Sequence, residues 1–213
     1  MNQCSISRIQ FILTVLISIT TSMQILAAES EREPFNDRYC TTCHGTDGKG
    51  NEGVQAPRLA GMEAWYLTRQ LENFRAGIRG THPRDIEGIA MQPMAAKLTD
   101  DSIVDIVDWI AGWSYTPAEI TISGDDAAGR QLYATCATCH GDRAQGNESL
   151  GAPALAGQND WYLVTQLKNF MAGYRGHHPD DTYGQQMRAM AQGLGGEAGI
   201  RNVVSYINTL ADR

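Results

Sequence analysis

Two short cysteine–histidine motifs contain the residues of this 213-residue sequence whose types and spacing could do chemistry. The first is CTTCH at residues 40–44, and the second is CATCH at residues 136–140. Each motif places two thiols three residues apart, with an imidazole directly after the second thiol. This pattern is compatible with a disulfide, a zinc site, a redox-active dithiol or the covalent attachment of a c-type haem.

Three of these four chemistries fit the pattern poorly. A Cys-x-x-Cys disulfide closes a very small loop, stabilises little and leaves both histidines without a role. Zinc motifs place their ligand pairs closer together in sequence, and a thioredoxin-like dithiol needs a βαβ context that the sequence lacks. Haem attachment uses all three residues, since the thiols bond to the vinyl groups and the histidine binds the iron. The predicted attachment residues are Cys40, Cys43, Cys136 and Cys139, and the predicted proximal ligands are His44 and His140.

The two motifs belong to a duplicated segment. A shift of 96 residues aligns residues 40–98 with residues 136–194 without a gap, and 32 of the 59 aligned positions are identical. Two long copies indicate a duplicated domain rather than a solenoid of short repeats. A unit of about 90 residues is small for a core built only of side chains. We therefore expect one bound cofactor in each copy.

Helical periodicity runs through both copies, and no segment alternates with period two for long. The segments EAWYLTRQLENFRAG and DWYLVTQLKNFMAG space their apolar residues by three and four and stop at Gly77 and Gly173. The segment TDDSIVDIVDWIAGW predicts a helix with Thr99 as N-cap and aspartates in its first turn. The predicted fold class is all-α.

The segment between the copies, SYTPAEITISGDD, has no helical period and contains Pro117 and Gly124. We predict a first domain at residues 29–115, a linker at residues 116–124 and a second domain at residues 125–213.

The N-terminus has the pattern of a secretory signal. Arg8 precedes an apolar run, and Ala27 and Ala28 supply small residues at its exit. We predict that residues 1–28 are a cleaved signal peptide and that the protein is exported. Residues 9–26 are about long enough to span a bilayer, so an uncleaved segment would instead anchor the protein to the membrane.

Net charge argues against nucleic acid as a partner. The formal charge is −7, and loss of residues 1–28 removes one arginine and no acid, leaving −8. Acidic residues concentrate in segments such as TDDSIVDIVD, outside the haem motifs. We expect a protein partner with a basic docking patch, because opposite charges accelerate encounter. In the alternative, the acidity only keeps the exported protein in solution, and the partner docks on the apolar rim around an exposed haem edge.

The haem motifs, the segments APRLAG and APALAG, the two WYL helices and the methionine segments MQPM and MRAM together resemble class I cytochromes c. Within that class the chain is similar to the cytochrome c4 family of two fused single-haem domains. The resemblance implies two tandem domains, each wrapped around one covalently attached haem c, in the periplasm. It implies single-electron carriage between respiratory-chain partners, toward a terminal oxidase or reductase. The polar segments RGTHPRDIEG and RGHHPDDTYG look more like cytochrome domains attached to respiratory complexes.

Each copy offers two methionines as the distal iron ligand. Pro93 suits the first turn of a helix, so Met91 is expected in a less regular segment before that helix. In the family that the chain resembles, the ligand is the methionine seven residues before the leucine that ends this segment. The predicted distal ligands are Met91 and Met187, with Met94 and Met190 as the alternatives.

Two histidines compete with the methionines for the distal position. His82 and His178 stand beside prolines in polar loops, and bis-histidine ligation would give a lower potential than thioether ligation. We expect both to be exposed or near a haem propionate, and we expect His177, which has no counterpart in the first copy, at the surface.

The resemblance also assigns roles to residues around the haem. It implies that the carbonyls of Pro57 and Pro153 accept the second ring proton of the proximal histidine. Arg79 and Arg175 follow the central helices, where each could bind a haem propionate or remain solvated.

Three functions remain open. The first is a soluble dihaem electron carrier that has redox donor and acceptor proteins as partners and no small-molecule substrate. The second is a dihaem enzyme such as a peroxidase or a sulfur-compound dehydrogenase, which requires an open iron site. The third is a cytochrome subunit anchored in a membrane complex. A full His/Met set in each copy favours the electron carrier.

Overall fold

Helices dominate the part of the chain that the structure, a computed structural model, describes: residues 38–211, without the side chain of Arg38. The predicted signal peptide at residues 1–28 lies outside the described residues. Extended pairing within residues 38–211 is limited to two isolated bridges, Asn51 with Ala56 and Asn147 with Ala152. The all-α prediction is confirmed.

Eight α-helices follow one another in the described chain, four in each repeat. The first repeat contains α1 (Arg38–His44), α2 (Ala64–Arg75), α3 (Ile86–Ala95) and α4 (Asp100–Ala111). The second contains α5 (Asp126–His140), α6 (Asp160–Met171), α7 (Thr182–Ala191) and α8 (Glu197–Asn208). Short 3-10 turns lie at Glu52–Val54, Glu148–Leu150 and Gln192–Leu194.

Side-chain caps fix where several helices begin. The hydroxyl of Thr99 accepts a hydrogen bond of 3.1 Å from the backbone N–H of Ser102, so the predicted N-cap of α4 is confirmed. Asp85 and Asp181 cap α3 and α7 by accepting from the backbone N–H three residues later. These two aspartates stand at equivalent positions of the repeats, so both methionine helices begin in the same way.

Each repeat has its own apolar core beneath its last helix. In the first repeat, α4 buries Ile103, Ile106, Val107 and Ile110 against Leu67 of α2. In the second repeat, α8 buries Ile200, Val203, Val204 and Ile207 against Tyr133 and Leu163. The spacing of three and four residues that predicted these helices is the spacing of the buried faces.

Residues 113–125 contain no helix and run between the repeats. They are fastened to the second repeat by Asp160, whose carboxylate accepts hydrogen bonds of 2.6 and 2.7 Å from the backbone N–H groups of Thr121 and Ile122. Ala118 also donates to the carbonyl of Gly157 at 3.1 Å. The boundaries 29–115, 116–124 and 125–213 stay predictions.

One local expectation for the methionine segment is wrong. Pro93 lies inside α3, close to its C-terminal end, and Met91 is in the same helix rather than in an irregular segment before it. The cap from Asp85 starts the helix at Ile86, seven residues and about two turns before Pro93. Pro93 has no N–H to donate to the carbonyl four residues earlier, and α3 ends at Ala95, two residues beyond it.

None of the described helices combines the length and the apolar composition that crossing a membrane requires.

Candidate functional site

The two histidines of the CxxCH motifs end α1 and α5 and are held in the same way. Nδ1 of His44 lies 2.6 Å from the carbonyl oxygen of Pro57, and Nδ1 of His140 lies 2.7 Å from that of Pro153. Burial lowers the pKa of both imidazoles, while the bond to the proline carbonyl opposes part of that effect. A neutral ring that donates from Nδ1 leaves the Nε2 lone pair for a metal. The geometry therefore suits both histidines to iron ligation.

The thiols of each motif lie one turn apart on the helix that ends in the histidine. Cys136 is half-buried and Cys139 is exposed, and Cys40 and Cys43 repeat that pattern. Burial raises the pKa of the Cys136 thiol. A redox-active dithiol needs a lowered thiol pKa. Residues 38–211 also contain no group of three or more histidine, cysteine or acidic side chains that could hold a metal ion. The raised pKa of Cys136 therefore gives no support to a redox-active dithiol.

A cavity in the second repeat brings the predicted haem residues to one place. Its wall includes Cys136, Cys139, His140, Pro153, Arg175 and Met187. Much of the remaining wall is apolar, including Leu163, Phe170 and Val203. Binding sites for cofactors are typically apolar clefts with a few placed polar groups.

Both methionines of the second pair belong to this wall. Met187 is half-buried and Met190 is 47% exposed, and both lie on α7 facing the cavity. In the first repeat Met91 is half-buried and Met94 is 50% exposed. Met91 and Met187 as distal ligands stay predictions.

His82 and His178 have contacts with protein groups in the described residues. The ring of His82 stacks on Tyr174 at 4.9 Å, and its Nδ1 accepts from the backbone N–H of Arg84. His178 is not among the residues that line the second cavity. His177, expected at the surface, is half-buried, with its Nε2 3.4 Å from the hydroxyl of Thr81 in the first repeat.

Arg79 and Arg175 are buried between the repeats, so the alternative of solvated loop arginines is wrong, and their binding of haem propionates stays a prediction. Arg175 donates from Nη1 to Gln166 at 2.7 Å and from Nη2 across to Tyr66 at 3.0 Å. Arg79 mirrors it, donating to Gln70 at 2.6 Å and across to Tyr162 at 3.3 Å. Their relative exposures are 8% and 9%. The interface thus uses the same residues from both repeats, as a two-fold contact does.

The arginines set the charge of this interface. Burial opposes ionisation of Arg175, but Tyr66 and Tyr162 beside it raise its pKa above the ordinary value. Burial alone would raise the pKa of the Tyr162 hydroxyl, but the Arg79 and Arg175 guanidiniums lower it. The guanidinium of Arg175 therefore carries positive charge where the two domains meet. Arg175 also lines the second cavity, so this charge faces the cofactor site.

The buried side chain of Arg58 bears on whether the first repeat can bind an anionic cofactor. It is 3% exposed, and its Nε and Nη1 have no hydrogen-bond partner. Burial lowers its pKa, while the nearby Tyr115 and Asp47 oppose that effect. Unused buried donors are unfavourable unless an acceptor satisfies them. The Nε of Arg79 has no partner either. Haem propionates are acceptors of the kind that these donors require, so the residues present fit the group.

Sequence reasoning missed the polar residues that join the two domains. Tyr66 and Gln70 on α2 are repeated as Tyr162 and Gln166 on α6, and all four contact the paired arginines. Their identity in both copies was the available clue.

Comparisons with known proteins agree with this geometry. The family model described as Cytochrome c matches residues 32–114 and 127–211. A thiosulfate dehydrogenase electron acceptor of Stutzerimonas stutzeri is 35% identical over 166 residues, which are 71% of this chain and 72% of that protein. Cytochrome c4 of Azotobacter vinelandii is 28% identical over 213 residues, covering 93% of this chain and 98% of that one.

A solved structure extends the likeness to the arrangement of the fold. The crystal structure of reduced recombinant cytochrome c4 from Pseudomonas stutzeri superposes with a TM-score of 0.62 at 28% identity, over 80% of this chain and 93% of that one. Two family matches in tandem, two CxxCH motifs and two buried proximal histidines agree with one another. The chain therefore belongs to the cytochrome c family, as a tandem pair of cytochrome c domains that binds two haem c groups covalently and transfers electrons.

Proposed function

We propose that this protein is an exported, periplasmic carrier that takes single electrons from a dehydrogenase and delivers them toward a terminal oxidase or reductase. The observation behind the proposal is the match between the two proximal sites. In each repeat a neutral histidine is fixed to a proline carbonyl within 2.6–2.7 Å. Two such sites in one compact unit suit a carrier that accepts one electron per domain and rearranges little.

In this proposal each domain holds its haem through the same set of groups. The attachment residues are Cys40, Cys43, Cys136 and Cys139, and the iron ligands are His44, Met91, His140 and Met187. Arg58, Arg79 and Arg175 supply the buried donors for propionates. When bound, haem c supplies a one-electron Fe(III)/Fe(II) couple.

The protein's own residues act by positioning and by excluding water. Pro57 and Pro153 fix the tautomer of the proximal histidines and thereby keep their Nε2 atoms available. Apolar residues such as Leu163 and Phe170 keep the second cavity poor in water. A low dielectric around the iron and a thioether ligand both favour the reduced state.

The name of one relative supports a dehydrogenase as electron donor, because it is an electron acceptor of thiosulfate dehydrogenase. The exposed acids of α4, Asp105 and Asp108 among them, lie on a chain of net charge −7. We propose docking to a basic patch, with transfer rates that fall as salt screens the encounter. Stopped-flow transfer with the purified partner at rising ionic strength tests this, and a flat or rising rate would contradict electrostatic docking.

The proposal is tested on the exported holoprotein. N-terminal sequencing should begin near residue 29, and acid acetone should leave both haems on the polypeptide. The double variant Cys136→Ala, Cys139→Ala should lose covalent haem from one domain only. A redox titration should resolve two reversible one-electron steps, and the reduced protein should not bind carbon monoxide rapidly at neutral pH.

Other outcomes favour the alternatives. Rapid binding of carbon monoxide to one iron would favour a dihaem enzyme, because an enzyme needs an open coordination position. A retained N-terminus in membrane fractions would favour a subunit of a membrane complex.

A further inference from the structure

The two domains do not make the same contacts with each other's cofactor sites, and one of the differences is Arg69. Arg69 lies on α2 of the first domain, and the 96-residue shift places Thr165 at the same position on α6. Arg69 lines the second-domain cavity together with its neighbours Tyr66 and Gln70. A wall of the second cofactor site is therefore made by the first domain.

The guanidinium of Arg69 is held against the second domain by several contacts. Its Nη2 donates a hydrogen bond of 2.6 Å to the carbonyl of Gly151. Its central carbon lies 4.2 Å from the ring centroid of Tyr183 in the second domain and 4.9 Å from that of Trp65 on its own helix. Gly151 and Tyr183 both line the cavity. The positive charge is thus fixed at the cavity wall and stacked on aromatic faces.

Glycine at position 151 makes this approach possible. A Cβ built on Gly151 would meet Nη1 of Arg69 at 2.7 Å and would lie closer still to the ring of Tyr183. Gly151 also has a left-handed backbone, with φ of +64°. The first repeat has Gln55 at the equivalent position, with φ of 55°. A side chain therefore occupies, in the first repeat, the space that the second leaves for arginine.

The equivalent contact, from Thr165 of the second domain to Gln55 of the first repeat, involves no charged side chain. Thr165 of α6 donates from Oγ1 to its own helix carbonyl at Trp161 at 3.0 Å and lies 3.4 Å from Oε1 of Gln55. Glu87 stands in the first repeat where Tyr183 stands in the second. The paired arginines, Arg79 and Arg175, mirror each other and so act similarly on both domains. Arg69 has no such counterpart.

We propose that Arg69 of the first domain raises the reduction potential of the haem in the second domain. The proposal rests on the proposed electron-carrier function. Ferric haem carries one more positive charge than ferrous haem, so a fixed cation in a partly buried wall disfavours oxidation. Arginine cannot lose its proton at accessible pH, and the effect therefore persists across the working range. The first domain in this way tunes the electron affinity of the second.

The test compares charge deletions on one helix. Arg69→Thr installs the residue of the equivalent position, Arg69→Gln is a second neutral variant, and Arg69→Lys keeps the charge. Arg75→Thr is the matched control, because Arg75 lies on the same helix and pairs at the surface with Asp100 at 2.7 Å. Spectroelectrochemical titration of each holoprotein gives both potentials, and thermal unfolding with haem content confirms that each variant is folded.

We expect both neutral variants to lower one potential and to leave the other nearly unchanged. The equilibrium constant for electron transfer between the two haems should change about tenfold. This corresponds to a change of about 59 mV in the difference between the two reduction potentials for a one-electron couple. Arg69→Lys should retain most of the wild-type separation, and Arg75→Thr should shift both potentials little and alike. Equal small shifts in the Arg69 and Arg75 variants would overturn the proposal.

A second set of variants identifies the haem whose reduction potential depends on Arg69. Replacing the distal methionine of the second domain by histidine, through Met187→His or Met190→His, should move that haem to low potential. The remaining high potential then belongs to the first domain, and adding Arg69→Thr should not move it. A shift of that first-domain potential would overturn the proposal. If the redox titration of the wild-type protein did not resolve two reversible one-electron steps, that result would instead contradict the electron-carrier function itself.

Discussion

Arg175 of the second repeat donates a hydrogen bond of 3.0 Å to the hydroxyl of Tyr66 in the first repeat. Both residues also line the cavity of the second domain. Contact between the domains and the environment of one cofactor therefore depend on the same side chains. Changes at this interface should affect both stability and redox behaviour.

Removing the Tyr66 hydroxyl should destabilise the protein. Tyr66→Phe leaves a buried guanidinium N–H without its acceptor, and we expect the free energy of unfolding to fall by about 1.5–3 kcal/mol. Urea unfolding of the holoprotein measures it. Tyr183→Phe is the control, because that ring is 43% exposed and its loss of a hydroxyl should change stability by less than about 0.5 kcal/mol. Equal effects in the two variants would argue against the Arg175 contact.

Replacement of the distal methionines should remove one iron–sulfur bond at a time. Met91→Ala and Met187→Ala should each abolish the sulfur-to-iron charge-transfer band of one haem and open that iron to carbon monoxide. Met94→Ala and Met190→Ala should leave both bands in place. Absorption spectra of the oxidised variants and carbon monoxide titration of the reduced ones give the readout. The reverse pattern would transfer the ligand role to the second methionine of each pair.

Asp160 should make the protein sensitive to acid. Burial alone would raise its pKa, but hydrogen bonds from the side chain of Thr121, the backbone of residues 121 and 122, and Asn208 lower it below the ordinary value. The unfolded chain therefore takes up this proton first. Its stabilisation is present above the unfolded pKa of about 3.9 and is lost as pH falls through the lower folded pKa.

Asp160→Asn should remove about 1.5–3 kcal/mol at pH 7, and its difference from wild type should shrink as the pH falls below about 4. Urea unfolding at pH 7, 5, 4 and 3 measures both effects. Asp108→Asn, on the exposed side of α4, is the control. A difference between wild type and Asp160→Asn that stays constant with pH would contradict a charged role for Asp160.

Gly129 should be needed for the crossing of α5 and α8. A Cβ at this position would meet the backbone carbonyl of Asn202 and would lie 2.9 Å from Cβ of Tyr206. Gly129→Ala should therefore lower the free energy of unfolding by about 1–3 kcal/mol through overpacking. Gly193→Ala is the matched control, since nothing lies within 4 Å of its Cβ, and it should stabilise by about 0.4–1 kcal/mol. Chemical unfolding compares them, and a harmless Gly129→Ala would refute the close approach.

The sequence by itself was enough to predict the covalent chemistry, the duplication and the helices. CxxCH is contiguous, so its chemistry can be recognised without a fold, and the repeat is visible as identities at a constant shift. The N-cap at Thr99 and the buried face of α4 follow from patterns within a few residues. Such features depend on local geometry, which the order of residues determines directly.

Only the tertiary structure decided what the buried polar residues contact. The partners of Arg175 in the first repeat lie 109 and 105 residues away in the sequence. No local sequence pattern predicts which residues of two domains come into contact. Met91 lies within α3 rather than before it because the cap at Asp85 starts the helix well upstream of Pro93. Arg69 and Thr165 occupy equivalent positions on equivalent helices, yet Arg69 contacts Gly151 whereas Thr165 faces Gln55. That difference arises because the packing of one domain against the other determines which atoms meet. The sequence of either copy alone does not show which residue of the other copy it contacts.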